Sequence, residues 1–210
     1  MKNSIKNLAA ALTLTGILLG GAAFANTTTD NGQVTVLSEV KKVNKINVSG
    51  NVELILVQSA DESVKVYDNY FAKNALVQQK NGELRISSFN KETLTVVVYV
   101  SNLNEINAAN DATVSTFGKF NILDLTVNLK DNASAKLNTN TISLTTNVNG
   151  SAKLTLSGKT EAHNAVIGSV AKVNMDQFAA ENTSIKANNT TIAKSTAVMS
   201  LPTSDDFVTL

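Results

Sequence analysis

The feature that most constrains the fold is a short phrase that recurs along the C-terminal half of the chain. In "NGSAKLTLSG" (149–158), the turn-forming pair Asn149-Gly150 precedes an alternating apolar and polar run. Similar phrases follow the corners Asn110-Asp111, Asp131-Asn132, Gly168-Ser169 and Asn188-Asn189. The apolar member of each phrase falls at Val114, Leu137, Leu154, Val173 and Ile192. The chain therefore repeats with a period of about 20 residues.

A period of this length, with short strands and Asn or Gly at the corners, is typical of a solenoid. A single coil cannot bury its own apolar side chains, whereas coils stacked about 4.8 Å apart pair each strand with its neighbours. Asn suits the corners because it tolerates left-handed backbone angles, and stacked Asn side chains can form hydrogen-bonded ladders. The pattern predicts an all-β parallel β-helix, and a β-sandwich with short strands is the alternative.

Strand signals also dominate the residues that precede the repeat. Residues 76–87 (LVQQKNGELRIS) predict a hairpin about a turn at Asn81-Gly82. Residues 93–100 (TLTVVVYV) are nearly continuously apolar, which is typical of a strand covered on both faces. We find no convincing amphipathic helix after the N-terminal segment, so the sequence predicts an all-β protein.

The first residues have the pattern of a secretory signal peptide. Lys2 and Lys6 precede an apolar stretch, and residues 23–25 (AFA) are typical of a signal peptidase site, which predicts cleavage between Ala25 and Asn26. An N-terminal membrane anchor is the alternative, but the apolar stretch is shorter than the roughly 20 residues of a span. The predicted divisions are a signal peptide (1–25), a flexible leader (26–39), an N-terminal β segment (40–102), repetitive coils (103–198) and a C-terminal tail (199–210).

Composition excludes several classes of function. The formal net charge is +1 and Arg85 is the only arginine, which argues against nucleic-acid binding. The chain has no cysteine, so no disulfide braces it, and it has no tryptophan for stacking against sugar rings. With one histidine, it also lacks a nitrogen and sulfur ligand set for zinc or iron, and we predict neither a metal site nor a cofactor.

Four stretches resemble the head GIN domain, a family of autotransporter adhesin heads that is widespread in Bacteroidota. These stretches are INVSGNVELILVQS (46–59), the strand pair within residues 77–87, TVVVYVSNLNEINAANDATV (95–114) and the serial Asn and Gly corners. The resemblance covers residues 40 to 195. It implies a right-handed single-stranded parallel β-helix of uncharacterised function, exported to the periplasm or cell surface of a Gram-negative bacterium.

Few residues offer chemistry. His163 is the only histidine and is expected on the rim or surface of a coil. The residues Asp111, Asp124 and Asp131 are too scattered for a calcium cage of carboxylates, and no G-x-S-x-G elbow suggests a serine hydrolase. Outward lysines at Lys136, Lys153 and Lys172 could stack as a ladder, either as a polysaccharide-binding surface or as solvated charges that prevent edge pairing.

These observations favour an exported, non-enzymatic protein that acts through its surface. The leading hypothesis is an adhesin-like domain that binds a glycan or protein of the cell surface or envelope, without stable insertion into a membrane. The alternatives are a carbohydrate-active enzyme, in which the three lysines would act on an acidic polysaccharide, and a periplasmic structural or regulatory protein.

Overall fold

The protein consists of strands, turns and connecting segments, without a helix, in residues 34–67 and 75–187, the parts that the computed structural model describes. The predicted signal peptide and cleavage point at Ala25 and Asn26, the last predicted coil and the predicted tail lie outside the described residues. The strands in chain order are β1 (Val34–Leu37), β2 (Lys45–Gly50), β3 (Val52–Gln58), β4 (Ser63–Tyr67), β5 (Ala75–Lys80), β6 (Glu83–Ser88), β7 (Leu94–Val100), β8 (Glu105–Ala109), β9 (Thr113–Phe117), β10 (Phe120–Asn121), β11 (Asp124–Leu129), β12 (Ser134–Val148), β13 (Lys153–Ile167) and β14 (Lys172–Ala187).

All fourteen strands belong to one sheet with two arms that meet at β12. The first arm runs β1-β4-β7-β3-β9, and the second runs β5-β6-β2-β8-β11. The N-terminal part of β12 pairs with β9 and its C-terminal part with β11, so one long strand continues both arms. β13 and then β14 stack on β12 in parallel, and the whole sheet curls around its apolar side as a half-barrel.

The prediction of a right-handed parallel β-helix is therefore wrong, although the all-β class is confirmed. Three strand pairings are antiparallel, namely β1 with β4, β4 with β7, and β5 with β6, so the sheet is mixed. The alternative, a β-sandwich, requires two facing sheets, whereas these strands form one. The repeat misled because it covers β9 to β14, whose pairings are all parallel, whereas the antiparallel pairs are made by β1, β4 and β5, which precede it.

The repeat itself reports the register of the parallel strands. Val114 of β9 is paired with Ala135 of β12, Ala135 with Leu154 of β13, and Leu154 with Val173 of β14. The spacing of the repeat is therefore the sequence separation between paired residues on neighbouring strands. The sequence interpretation placed Leu137 in this row, two residues too far along the strand, because Ala135-Lys136-Leu137 resembles Ala152-Lys153-Leu154. Leu137 instead pairs with Leu156.

Burial along β12 and β13 shows where the sheet bends. In β12 every second residue is buried up to Thr141, and the alternation then slips so that Leu144 is the next buried residue. β13 slips at the equivalent point, between Thr160 and His163. Two successive outward residues in each strand turn the backbone, which carries both arms around one apolar core.

The hairpin predicted at Asn81-Gly82 is confirmed. Both residues have positive φ, 51° and 79°, as a two-residue type I′ turn requires, and the turn joins β5 to β6 in antiparallel register. The strand predicted at 93–100 is also present, as β7. Its inward residues are buried, but its outward side chains are only partly covered, contrary to the expectation of cover on both faces.

The backbones of β12 and β13 approach each other closely at Gly158. It has a φ of 100°, and a Cβ there would lie 2.1 Å from the carbonyl oxygen of Thr139. Gly118 also has positive φ, 76°, but its Cβ would meet no atom within 4 Å. We expect Gly118→Ala to lower the free energy of unfolding by about 1–2 kcal/mol, the cost of a left-handed side-chain residue.

Gly158→Ala should cost more than about 3 kcal/mol or prevent folding, because the strand must also shift away from its neighbour. Urea denaturation of both variants checks this. Equal losses would contradict the close strand pairing between Gly158 and Thr139.

Candidate functional site

Four asparagine side chains form a continuous row across the outer face of the second arm. Asn47, Asn107, Asn128 and Asn147 occupy paired positions on β2, β8, β11 and β12. The Nδ2 group of Asn107 donates to Oδ1 of Asn47 at 2.6 Å, that of Asn128 to Asn107 at 2.7 Å, and that of Asn147 to Asn128 at 2.7 Å. We call this row the amide ladder. The inner neighbours of each Asn on its strand are buried, so the sheet fixes its position.

Carboxylates at one end set the direction of the amide ladder. The Nδ2 group of Asn47 donates to Glu83, and that of Asn107 also donates to Oε1 of Glu105 at 2.9 Å. Because a carboxylate only accepts, these two amides must turn their N–H groups toward β6 and their carbonyls toward β12. Each bond then polarises the next, so the amide ladder has a donor end at Asn47 and an acceptor end at Asn147.

Charge pairs hold the two carboxylates in place. The hydrogen bond from the Arg85 guanidinium lowers the pKa of Glu83, with help from its charge and from Asn47. Glu105 pairs with the Lys45 ammonium at 3.1 Å. Glu83 is therefore an ionised acceptor at neutral pH.

The amide ladder lies along a shallow groove of about 440 Å³. Beside the Asn side chains, the groove is lined by Ser49, Lys130 and Asn149. An Asn amide has two N–H groups and two carbonyl lone pairs. Asn128 and Asn147 each use one N–H in the amide ladder, and among the described residues no donor reaches the carbonyl of Asn147. The unused donors and acceptors are thus concentrated at the β11–β12 end, next to Lys130.

The lysines singled out by the sequence lie on the other arm. Lys153 and Lys172 are directly paired across β13 and β14, whereas Lys136 pairs with Thr155. Lys153 and Lys172 therefore stack, whereas Lys136 lies two residues further along its strand and does not align with them. All three are exposed, and within residues 34–67 and 75–187 none has an ion pair.

His163 is inside the molecule, contrary to the expectation of a rim or surface position. Its side chain is 1 % exposed, its Nε2 lies 3.0 Å from Oγ1 of Thr146, and its ring meets Phe178 edge-on at 5.5 Å. Its Nδ1 is buried without a partner among the described residues. Burial lowers the pKa of the imidazole, so the ring is neutral at neutral pH. It packs as part of the core.

The part of the chain that the structure describes contains no cluster of three or more His, Asp or Glu side chains that could hold a metal ion. Asp111 and Asp131 instead take part in a corner, where Asn132 donates to Asp111 at 3.2 Å and Asp131 accepts from the backbone of Asn110 at 3.3 Å. None of the described residues forms a helix that could cross a membrane.

The amide ladder was missed by sequence reasoning, which placed Asn side-chain ladders at the corners. A signal was present in the sequence. Each ladder Asn lies between two inward residues in the segments INV (46–48), INA (106–108), VNL (127–129) and TNV (146–148), and the last three segments recur at the spacing of the repeat. An Asn that alternates with apolar residues inside a strand is on the outer face, and the recurrence aligns it with the next.

The fold and the amide ladder define a class of protein: an all-β protein whose curled sheet has a row of amides on the outer face of one arm. The sequence profile of the family "Putative auto-transporter adhesin, head GIN domain" matches residues 42–202. The chain belongs to this family, as the resemblance in the sequence predicted. A search of curated proteins gives no match.

Solved structures of similar fold include three proteins from two Parabacteroides species. A putative adhesin from Parabacteroides distasonis superposes with a TM-score of 0.59 at 18% identity, covering 75% of this chain and 79% of that one. A putative adhesin from Parabacteroides merdae gives 0.55 at 16%, covering 75% and 78%. A putative lipid binding protein from P. distasonis gives 0.58 at 11%, covering 75% and 79%. At these identities the likeness is one of fold.

Buried His163 predicts a specific dependence of stability on pH. The unfolded imidazole titrates near 6.5, and burial lowers the pKa in the folded protein. Between these two values the unfolded chain binds more protons, so acidification destabilises the fold. We expect the free energy of unfolding to be flat above about pH 7.5 and to fall from about pH 6.5 downward, by at most about 1.4 kcal/mol per pH unit.

Urea denaturation between pH 7.5 and 5.0 measures this slope, and His163→Leu should remove it. Leu continues the row set by Leu144, with which His163 is paired. His163→Gln, which keeps a polar partner for Thr146, serves if the Leu variant folds poorly. A slope that persists unchanged in a folded variant would contradict the assignment, because the chain has no second histidine.

Proposed function

We propose that this protein is an exported, non-enzymatic, adhesin-like domain that binds neutral, hydroxyl-rich glycans along the amide ladder. The observation that carries the proposal is the row of four aligned amides in an open groove. The family supports a role in surface binding. The sequence suggested binding through an unspecified outer surface, and the proposal narrows the binding site to the four Asn side chains of the amide ladder.

The chemistry of an amide suits a sugar hydroxyl. A hydroxyl both donates and accepts, and the unused N–H and carbonyl of Asn147 can satisfy both functions at once. Asn128 offers its second N–H and the second lone pair of its carbonyl, which already accepts from Asn147. Adjacent strands place these amides about 4.8 Å apart, close to the length of one sugar ring in an extended chain. A polymer that runs across the strands can therefore repeat the same contact on successive amides.

The site suits weak, repeated binding. Each neutral hydrogen bond to solvent-facing amides contributes about 0.5–1.5 kcal/mol, and no aromatic platform adds to it in the groove. Several copies on one surface raise the overall affinity by avidity without further contacts, which is how a weak site can hold a cell to a polymer.

Two observations favour binding over catalysis. The carboxylates nearest the amide ladder already pair with cations, Glu83 with Arg85 and Glu105 with Lys45, which leaves Lys130 as the unpaired charged side chain lining the groove among the described residues. General acid–base catalysis on a glycan needs two free titratable groups on either side of the bond. The lysines that the enzyme hypothesis would use, Lys136, Lys153 and Lys172, lie on the other arm and not at the groove.

Alanine substitution tests the binding site. Asn128→Ala and Asn147→Ala should each weaken binding to immobilised neutral oligosaccharides by about 3- to 10-fold. The oligosaccharides should have more than four sugar units, so that they span the four Asn residues of the amide ladder. Asn174→Ala is the matched control, because Asn174 is an exposed strand Asn on β14, outside the groove. Surface plasmon resonance on fragments of mannan, xylan and chitin measures the change, and thermal melts show whether each variant is folded.

The proposal fails if no neutral glycan binds, or if Asn174→Ala weakens binding as much as the two variants in the amide ladder. Release of reducing ends from the same fragments would instead support the carbohydrate-active alternative. Unchanged binding in both ladder variants would place the glycan elsewhere on the molecule.

Export has its own test. Residues 23–25 (AFA) predict cleavage that leaves Asn26 as the first residue. Intact-mass measurement of protein recovered from the periplasm or the cell surface should give a chain beginning at Asn26, and Ala25→Asp should block processing. A recovered chain that keeps its first 25 residues would contradict the predicted signal peptide and favour an anchor. Protease treatment of whole cells distinguishes the surface from the periplasm.

A further inference from the structure

The outer face of the first arm has an apolar half. Ile55 and Val57 of β3 are paired with Val97 and Tyr99 of β7, and Val57 is also paired with Phe117 of β9. Their inward neighbours on each strand are buried, so these side chains point outward. Phe117 is 73% exposed, and within residues 34–67 and 75–187 no strand packs over the group. Contiguous apolar side chains with an exposed aromatic ring among them are a feature of interaction surfaces.

The same face becomes basic toward β14. Lys65 lies beside the apolar half, with its Nζ 5.0 Å from the Tyr99 ring, and Lys136, Lys153 and Lys172 extend the face across β12, β13 and β14. Two carboxylates are nearby, Glu53, which accepts from Thr95 at 3.1 Å, and Asp176, which accepts from Asn174 at 3.0 Å. The directly paired Lys153 and Lys172 repel each other in the free protein, and an anion between them would relieve this.

We propose that this apolar–basic face docks on an anionic lipid surface. Phe117 and Tyr99 would occupy the headgroup boundary, where aromatic side chains are favoured, and the lysines would meet lipid phosphates. Basic residues near an anionic membrane add to the attraction one by one, and salt weakens it. Docking in this way needs no membrane-spanning segment, and it leaves the amide ladder on the other arm free.

Charge complementarity favours an anionic lipid surface over a second copy of the chain as the partner of this face. A two-fold contact between copies through this face would bring lysines against apolar side chains or against other lysines. Two carboxylates on each copy cannot pair with all four lysines. A soluble acidic partner would satisfy the lysines but leave Phe117 and Tyr99 in water, whereas a lipid surface offers anions and an apolar boundary together.

Co-sedimentation of the full chain with vesicles tests the proposal. Binding should be much stronger to vesicles of phosphatidylglycerol and phosphatidylcholine than to phosphatidylcholine alone, and it should weaken as salt is raised. The double variant Lys153→Gln/Lys172→Gln should bind on the order of tenfold more weakly. Its matched control is Lys80→Gln/Lys186→Gln, which removes the same charge from exposed positions of β5 and β14 on the second arm, outside the apolar–basic face.

Phe117→Ser tests the apolar half against Leu123→Ser, since Leu123 is 67% exposed but precedes β11, outside this face. Phe117→Ser should weaken vesicle binding several-fold, and Leu123→Ser should not. Four outcomes would overturn the proposal: no vesicle binding, equal binding to both kinds of vesicle, equal loss in a variant and its matched control, or a wild-type dimer that Phe117→Ser dissociates. The last would assign the face to self-association. Glycan binding is measured separately, so either proposal can fail alone.

Discussion

The structure depends on the parallel, in-register pairing of β12 with β13. Fourteen residue pairs join these strands in one register, with a single gap at Ile142 and Glu161, and they cover both the part of β12 that continues the first arm and the part that continues the second. A chain without disulfides cannot fix two arms relative to each other by covalent links. Here one long strand does so, because the backbone hydrogen bonds and the buried rows along β12 and β13 hold both arms about a common core.

The same register that builds the core also builds the two outer faces. When inward residues align from strand to strand, the outward residues between them must align as well, since side chains alternate at every residue. A row of buried Leu and Val therefore implies a row of outer side chains at the same spacing. On the second arm that row is Asn and becomes the amide ladder. On the first arm, one such row runs from Val97 and Ile55 through Ser115 to Lys136. Function can thus be placed on this fold by outward substitutions that leave the core intact.

How much the sequence could predict follows from the range over which each signal acts. The Asn81-Gly82 hairpin and strand β7 were predicted correctly because turn chemistry and apolar runs are local. The order of strands in the first arm was not predictable in this way, since β3 pairs with β7 and β9 across long stretches of chain. A confirmed hairpin already implied an antiparallel pair, which is incompatible with a purely parallel sheet, so the local and repeat signals conflicted at this point.

The candidate site also combines features that local sequence signals predict with features that only the folded sheet creates. The positions of the ladder Asn residues follow from alternation and repeat, but their hydrogen bonds depend on Glu83 and Glu105, whose strands join the row only in the folded sheet. His163 is the opposite case. The slip of alternation between Thr160 and His163 turns it inward, and a sequence that alternates without the slip places it on the surface. A one-residue change of phase at a bend therefore decides whether a polar side chain meets solvent or the core, and such bends are where single-sequence reasoning about this fold is weakest.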